Sequence, residues 1–579
     1  MLPESTRTTR CEVVVLAGIL SLALTARVVF LAGWAGLPLF DALYGDEGNF
    51  HRTALAILGL QGQAEAFFYQ PFYALWLALV YGLFGVDTVL VRTLQLGLGL
   101  LGVGLAYGLA RELGGRRVAL VAGLMAAVYG PFVFFEGHLL DPALSVPLLT
   151  GGLWCVLRAG LRQRAWLLLP GGLLGGLACL ARPNLALVLP AVGLWWLFAV
   201  RDLRPRLVGA GLALAGVLLG LMPSWAFNWS RGEAANPISS SAGISFFIGN
   251  NPRATGRFHV PRGLKIDATS HAAYQRSLQV LAEQAEGRRL TASEASSHWL
   301  RRGLDFWAEH PGQAAWLAGK KALLALNADE MPIHHPFFVA RELVPALGFL
   351  PGFGVVFPFA VLGLWLGWRR RGVGLLAACL GSYLASLVLF YVADRYRLML
   401  VPMLLPLFGL GIVELWDRVR SRGAARAWPH ALLMAGALLI SAPDLIGDQA
   451  RRRSFYSTYN LMGKAEGERD DLASATTYFQ RAIELAGPGH GALARANLGL
   501  VRERLGDVAG ALELARQASA IDREGRGAWL RRARLAERQG HLQEAAAAWR
   551  HLASLQAEPE EALREAARLE AMLEARPAP

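Results

Sequence analysis

Residues 13–34 read VVVLAGILSLALTARVVFLAGW, with Arg7 and Arg10 just before them. An apolar run of about 17–25 residues crosses a bilayer as a helix, because only a helix or a closed barrel pairs all its backbone groups away from water. This run is longer than a typical secretory-signal core and shows no convincing cleavage site, so it is expected to persist as a first membrane span. Working outward, similar runs recur to about Leu439 and then stop. The 579 residues are 54% hydrophobic and 17% charged, and mean hydropathy is +0.36. Ordinary soluble domains carry about a quarter charged residues, so a soluble multidomain enzyme and a disordered chain are both disfavoured.

The net charge is +13, which suits either nucleic acid or the cytoplasmic loops of a membrane protein. Position decides between them. Arginines cluster between the apolar runs, at Arg111/Arg116/Arg117, Arg158/Arg162/Arg164, Arg201/Arg204/Arg206, Arg369/Arg370/Arg371 and Arg418/Arg420/Arg422. All fall on the cytoplasmic side with the N-terminus if the short run 71–84, about 14 residues, is re-entrant or interfacial rather than spanning. Spans are then expected near 13–34, 89–110, 117–135, 142–160, 165–181, 184–200, 207–226, 346–368, 373–392, 397–417 and 429–447, about eleven in all. Residues 1–447 form one all-α membrane domain with a large non-cytoplasmic loop at about 228–345, and 448–579 form a second domain. This topology leaves the tail outside the cytoplasm. Arg451, Arg452 and Arg453 pull the other way, but long trailing domains obey the charge rule poorly. Cys11, Cys155, Cys179 and Cys379 lie in or beside apolar runs, without metal spacing or a disulfide framework.

The tail repeats. Gly463, Gly499 and Ala533 align as the small residue of a first helix. Ala475, Ala511 and Ala545 follow twelve positions later, and Phe479, Ala515 and Trp549 four further on. Turns at Asp470-Asp471, Gly506-Asp507 and Gly540-His541 separate the paired helices. Offsets of 36 and 34 residues match the tetratricopeptide period, with a generic helical solenoid as the alternative.

Candidate chemistry sits in the non-cytoplasmic loops. In Tyr44-Gly45-Asp46-Glu47-Gly48-Asn49-Phe50-His51, Asp46 suits a helix N-cap and Glu47 the first turn. Equally, a partly dehydrated carboxylate at a membrane surface can act as a general base. Glu47 and His51 share a helix face, a spacing compatible with a metal. In Phe135-Glu136-Gly137-His138-Leu139-Leu140-Asp141-Pro142, Asp141-Pro142 can simply open a helix, whereas Glu136 beside phenylalanines needs a use or a partner. Arg182, Arg395 and Arg397 depart from the cytoplasmic pattern; they either snorkel or clamp a phosphate. Lys320-Lys321 suit an interfacial helix anchored on lipid head groups.

Asp46-Glu47, Tyr69-Gln70-Pro71-Phe72-Tyr73, Glu136 to Pro142, Leu180-Ala181-Arg182-Pro183, Ile238 to Pro252, Ala325 to Glu330 and Arg395-Tyr396-Arg397 follow one another in a telling order. Over about residues 12–420 they resemble the GT-C superfamily of polyprenyl-phosphate-sugar glycosyltransferases. The similarity is to the bacterial branch related to protein O-mannosyltransferases and the lipid A aminoarabinose transferase, in which tetratricopeptide tails occur. The resemblance implies inverting sugar transfer from a polyprenyl phosphate to a lipid, glycan or protein. Asp46 would be the base and Glu47 would position substrate. Tyr69, Glu136, His138 and Asp141 would line the cavity, with Asn250 and Asn251 in a loop over it. Arg395, Arg397 and Arg182 would hold the donor phosphate. Gln70 and His138 depart from the commoner pattern, which leaves sugar and acceptor open. No cofactor is expected to be required, although a divalent metal serves the oligosaccharyltransferase branch. Expected partners are the lipid-linked donor, membrane lipids and a protein at the tail, with no nucleic acid. The expected location is a bacterial inner membrane, with the tail on the non-cytoplasmic side. The alternatives are an O-antigen ligase-like or polymerase-like enzyme, which would centre on a late loop, and a transporter or flippase, which would place ionisable residues near mid-membrane.

Overall fold

The computed structural model of the chain describes residues 4–233, 236–261, 264, 266–267, 271–422, 428–487, 489–556 and 559–574, without the side chains at 4–11, 271 and 422. Arg7, Arg10, Cys11 and the Arg422 side chain thus lie outside the described residues. Regular structure there is helical; one isolated parallel bridge joins Arg257 and Val392. The chain divides into two compact units, Met1–Gly33 with Leu43–Leu445, and Trp34–Ala42 with Ile446–Pro579.

The first unit begins with α1 (Glu4–Ala35), α2 (Gly45–Ile57) and α3 (Phe72–Phe84). Next comes α4 (Thr88–Val128), broken at Gly115, whose φ of 81° and ψ of −168° no helix accommodates. The chain doubles back there, since a Cβ on Gly123 would lie 3.1 Å from the Tyr107 ring. The reversal falls between Arg111 and Arg116, where charge placed a turn. Then follow α5 (Gly130–Glu136), α6 (Pro142–Arg162), α7 (Leu168–Ala181), α8 (Val188–Ala199) and α9 (Leu203–Ser230). The stretch expected as one large loop is itself helical: α10 (Ala242–Gly249), α11 (His271–Glu286), α12 (Ala292–Glu309), α13 (Pro311–Leu326) and α14 (Phe337–Leu343). The unit closes with α15 (Pro345–Gly348), α16 (Phe353–Gly367), α17 (Arg371–Leu389), α18 (Asp394–Arg397), α19 (Val401–Arg422) and α20 (Trp428–Ser441).

Among the described residues seven helical segments are long and apolar enough to cross a membrane, and the protein is a multi-pass membrane protein. Helices α7, α8 and α20 are shorter apolar pieces, and the break in α4 makes two segments of one, so the eleven expected runs appear as helices of unequal length. Helix α3, at 13 residues, is too short for an ordinary span, as its sequence suggested.

Helix crossings rest on glycine. In lipid, hydrophobic burial gives little drive for helices to associate, so close packing must supply it. A Cβ on Gly172 would lie 2.2 Å from the Ala213 carbonyl, and one on Gly176 2.4 Å from that of Val217. Reciprocally, Gly216 and Gly220 of α9 meet the carbonyls of Leu169 and Leu173 at 2.3 and 2.7 Å. Between α16 and α19, Gly363 and Gly411 play the same parts, at 1.9 Å from the Leu407 carbonyl and 2.1 Å from that of Phe359.

In the second unit, α21 (Asp448–Glu468), α22 (Leu472–Ala486), α23 (Ala492–Arg504), α24 (Val508–Ile521), α25 (Arg526–Arg538) and α26 (Leu542–Ser554) pair as helical hairpins, followed by α27 (Glu560–Glu574). This is a tetratricopeptide-type solenoid. Ala475, Ala511 and Ala545 are fully buried where paired helices cross, and Phe479 and Trp549 fill the gaps between. Each hairpin turn uses a positive φ, at Asp470, Gly506 and Gly540. Asp471 and Asp507 then cap the next helix by accepting from the backbone N–H of Ser474 and Gly510.

Replacing Gly176 by Val is expected to part α7 from α9 and cost about 1–3 kcal/mol, the usual range for overpacking. Thermal unfolding in detergent would show it as a lowered Tm, and an unchanged Tm would mean the crossing is not a packing constraint.

Candidate active site

Five segments far apart in sequence converge at one end of the spans. Helix α2 begins at Gly45, and its N-cap position is Tyr44, which makes no side-chain cap. Asp46 therefore does not cap the helix. It lies in the first turn, its carboxylate paired with the Arg395 guanidinium. Arg395 lies 5.4 Å from the centre of the Tyr396 ring, and Arg182 lies 4.3 Å from the same ring. Arg182 in turn pairs with Asp141. Two ion pairs, Asp46 with Arg395 and Arg182 with Asp141, thus meet at Tyr396, whose ring lies against both cations. All four charged groups are buried. The Nε–H of Arg182 and that of Arg395 have no hydrogen-bond partner among the described residues. Tyr396 is itself held: Tyr383 donates to its carbonyl at 2.8 Å, and its hydroxyl lies 3.1 Å from that of Tyr391.

Local sequence explains these positions. Pro183 stops α7, so Arg182 is extended at its end and reaches across the end of the bundle. Pro142 at the start of α6 leaves Asp141 at the helix mouth with its side chain free for Arg182 rather than for a cap. Tyr69 lies half-buried beside Asp46 and Arg395, whose charges act on its hydroxyl.

Glu47 belongs to a second cluster of the site, with Leu139 and His335. Its Oε1 accepts from the Leu139 N–H at 2.8 Å, and its Oε2 is 3.9 Å from His335 Nε2. Burial pushes the Glu47 carboxyl up to about 7, against the Arg92 charge and the Leu139 hydrogen bond, which both favour the anion. His138 donates from Nδ1 to the Phe134 carbonyl at 2.9 Å, and its ring meets His335 edge-on at 4.8 Å. Burial holds His138 down to about 3, hence neutral.

Sequence reasoning missed the supports of this cluster. Arg92 donates to the Gly137 carbonyl at 3.1 Å, and Gln95 donates to the carbonyls of Glu136 and His138 at 2.7 and 2.8 Å. Tyr73 donates to Gln95 in turn. Together they lock the turn that offers the Leu139 N–H to Glu47. Arg92 and Gln95 are polar groups three apart inside an apolar helix, a signal that could have found them. His335, with neither ring nitrogen hydrogen-bonded among the described residues, carried no motif at all.

Several expected site residues are engaged by partners within the fold. Glu136 accepts from Arg27 at both its oxygens, at 2.5 and 3.1 Å. Arg397 is engaged within the fold. It pairs with Glu330 at 2.6 Å, donates to the Asn327 carbonyl and stacks on Phe353. Asn250 donates to the carbonyls of Phe246 and Leu389, and its Oδ1 accepts from Trp307 and Lys321 at 2.9 and 3.0 Å. Asn251 is equally consumed, by the carbonyls of Phe247 and Ile248 and the Arg253 N–H. Lys321 is buried on Asn250, with burial pulling its ammonium down to about 7, and so does not anchor to lipid head groups. His51 hydrogen-bonds Tyr81 at 2.9 Å. Among the described residues no three His, Cys, Asp or Glu side chains converge as metal ligands.

Residues 69–227 match the family model described as dolichyl-phosphate-mannose-protein mannosyltransferase. No curated protein matches the chain significantly. Similar solved structures include the Archaeoglobus fulgidus oligosaccharyltransferase in its apo form, at 15% identity and a TM-score of 0.43 over 78% of this chain. The present chain spans 56% of that protein's length. Another is ArnT from Cupriavidus metallidurans bound to undecaprenyl phosphate, at 15% identity and a TM-score of 0.40, covering 86% of this chain and 80% of ArnT. Yeast Tom70 is similar at 12% identity and a TM-score of 0.21, covering 82% of this chain and 92% of Tom70. The matched segment, 69–227, contains Tyr69, His138, Asp141 and Arg182, and over it the membrane domain is similar to that mannosyltransferase family.

Proposed function

We propose that the chain is a membrane glycosyltransferase. In this reading it moves a sugar from a polyprenyl-phosphate donor to an acceptor on the non-cytoplasmic face, with inversion at the anomeric carbon. The observation that carries the reading is the pair of buried, unpartnered Nε–H groups on Arg182 and Arg395, gathered at Tyr396 with the Asp46 carboxylate beside them. Two guanidinium groups with spare donors fit a phosphate, and a carboxylate within reach of one of them fits a base.

The chemistry follows from that arrangement. The acceptor oxygen or nitrogen forms a bond to the anomeric carbon as the bond from that carbon to the phosphate oxygen breaks. The electron pair leaves with the phosphate, where Arg182 and Arg395 meet the growing charge, and the acceptor proton passes to Asp46. A phosphate drawing on Arg395 loosens its hold on Asp46, so donor binding frees the base. Glu47, fixed by the Leu139 N–H, positions the reacting sugar. With the guanidinium pair supplying positive charge, the reading assigns no step to a metal. Residues 1–447 form the catalytic domain, placed in a bacterial inner membrane, and the repeats face outward to receive a protein partner.

Asp46→Asn keeps size and removes the base, so transfer from a labelled polyprenyl-phosphate sugar is expected to fall about 10²–10⁴-fold. Full activity in this variant would sink the assignment. Arg182→Ala is expected to raise KM for the donor about tenfold or more, as loss of a charge-assisted phosphate contact should. An unchanged donor KM would remove Arg182 from the phosphate site.

Glu47 makes stability depend on pH. Its value when folded, about 7, lies above the ordinary 4.5, so between these pH values the folded protein keeps a proton that the unfolded chain has released. That contribution is fully present below about pH 4.5 and is lost as pH rises through about 7. Glu47→Gln is expected to flatten this fall in a series of thermal unfolding curves. An identical slope in wild type and variant would contradict the buried, proton-holding state.

A further inference from the structure

A cavity of about 390 Å³ opens between α2, the segment 61–70 and α11, and nothing in the phosphate site uses it. Small-molecule sites typically span about 300–1,000 Å³. Its wall carries an unusual concentration of amides: Asn49, Gln61, Gln63, Gln70 and Gln275. No hydrogen bond among the described residues occupies these side chains. The two charges at the wall, Arg52 and Glu65, oppose one another.

We infer that this cavity is the acceptor subsite and that it takes a neutral glycan. The inference rests on the glycosyl-transfer reading above and names the acceptor class for it.

Location is the first argument. Asp46, Asn49, Thr53 and Ala56 recur at helical spacing along one face of α2, and all but Asp46 line the cavity. Tyr69 lines it as well and stands beside Asp46 and Arg395. An acceptor lying along this wall therefore ends at the carboxylate that must take its proton.

Chemistry is the second. Each amide offers a donor and an acceptor together, which matches the paired hydroxyls of a sugar ring. Phe68 and Tyr69, with rings 4.8 Å apart and nearly perpendicular, add apolar faces of the kind that pack on sugar C–H groups. A lipid tail would leave the amides unpaired. A phosphate would meet Glu65 as well as Arg52. A peptide bound by strand addition would need a sheet edge, and the described residues offer only the isolated Arg257 to Val392 bridge.

The wall is also built to hold its shape. The Phe67 N–H donates to Asn228 Oδ1 at 2.9 Å, and the carbonyls of Phe67 and Phe68 accept from the N–H groups of Ser240 and Ser241 at 3.1 and 3.0 Å. Asn228 is pinned in turn by donating to the carbonyls of Asn236 and Ile238. The Ile238 to Pro252 motif thus braces the cavity from behind.

The test uses the purified full-length protein with a labelled polyprenyl-phosphate sugar. A neutral oligosaccharide and a Ser/Thr-rich peptide serve as alternative acceptors, and release of the labelled sugar to water is followed alongside transfer. Transfer to the oligosaccharide is expected. Gln70→Ala and Gln275→Ala are each expected to raise KM for it about tenfold, with the isosteric Gln275→Glu change repeating the effect by removing the amide donor, while KM for the donor moves less than about twofold. Oligosaccharide transfer with unchanged KM in all three variants overturns the subsite. Transfer to the peptide alone overturns the acceptor class. Wild-type protein that neither transfers nor hydrolyses the donor overturns the glycosyl-transfer reading, and this inference with it.

Discussion

Two guanidinium groups cannot be buried against one ring without compensation, and the membrane domain is organised around meeting that requirement at Tyr396. Arg182 and Arg395 each take a carboxylate, from α6 and α2, and share the electron-rich face of the tyrosine. A buried ion pair seldom adds net stability, because desolvation offsets the attraction, but removing one partner is costly. The cluster therefore works as a specification rather than a glue. The ends of α2, α6, α7 and α18 have to meet here or leave charge unpaired in a dry place. One Nε–H on each arginine remains without a partner among the described residues.

The scaffold that delivers those ends is set by backbone contact. Glycines facing carbonyls bring α7 to α9 and α16 to α19 closer than any side chain would allow. Such crossings fix helix position along and around the axis, so the ends of the helices arrive in register. A hinge of loose apolar side chains would not place two arginines on one ring.

How much of this could be read beforehand depended on the kind of signal. The spans, the short α3 and the turn at Gly115 follow from hydropathy and arginine placement, which act locally. The repeat tail follows from small and large residues at a fixed offset. Asp46, Tyr69, Asp141, Arg182 and Arg395 are brought together, and all were visible as polar residues at the outer ends of apolar runs. At Glu136, Asn250, Asn251 and Arg397 the same signal led to groups that hold partners within the fold, because a polar group near a membrane meets either substrate or a partner, and sequence does not show the partner. Arg27, the partner of Glu136, lies inside the first run and was passed over. The helical character of the 228–345 region was hidden because its helices are polar on one face and are separated by short breaks, so hydropathy alone reads them as loop. His335 could not be found from its neighbours in sequence, since its neighbours in space are Glu47, Tyr44 and His138.

The Arg27–Glu136 pair has a consequence for how the protein is made. Arg27 sits inside α1, and its partner follows 109 residues later. An arginine at the centre of a span costs roughly 2.5–3.5 kcal/mol to insert. The first span therefore leaves the ribosome carrying a charge whose counter-ion does not yet exist. Until α5 arrives, that guanidinium has to keep water or reach for the lipid head groups. Synthesis of this membrane domain is thus ordered by one electrostatic debt, and the first helix settles into its final depth only after the chain has crossed back and forth and returned with a carboxylate.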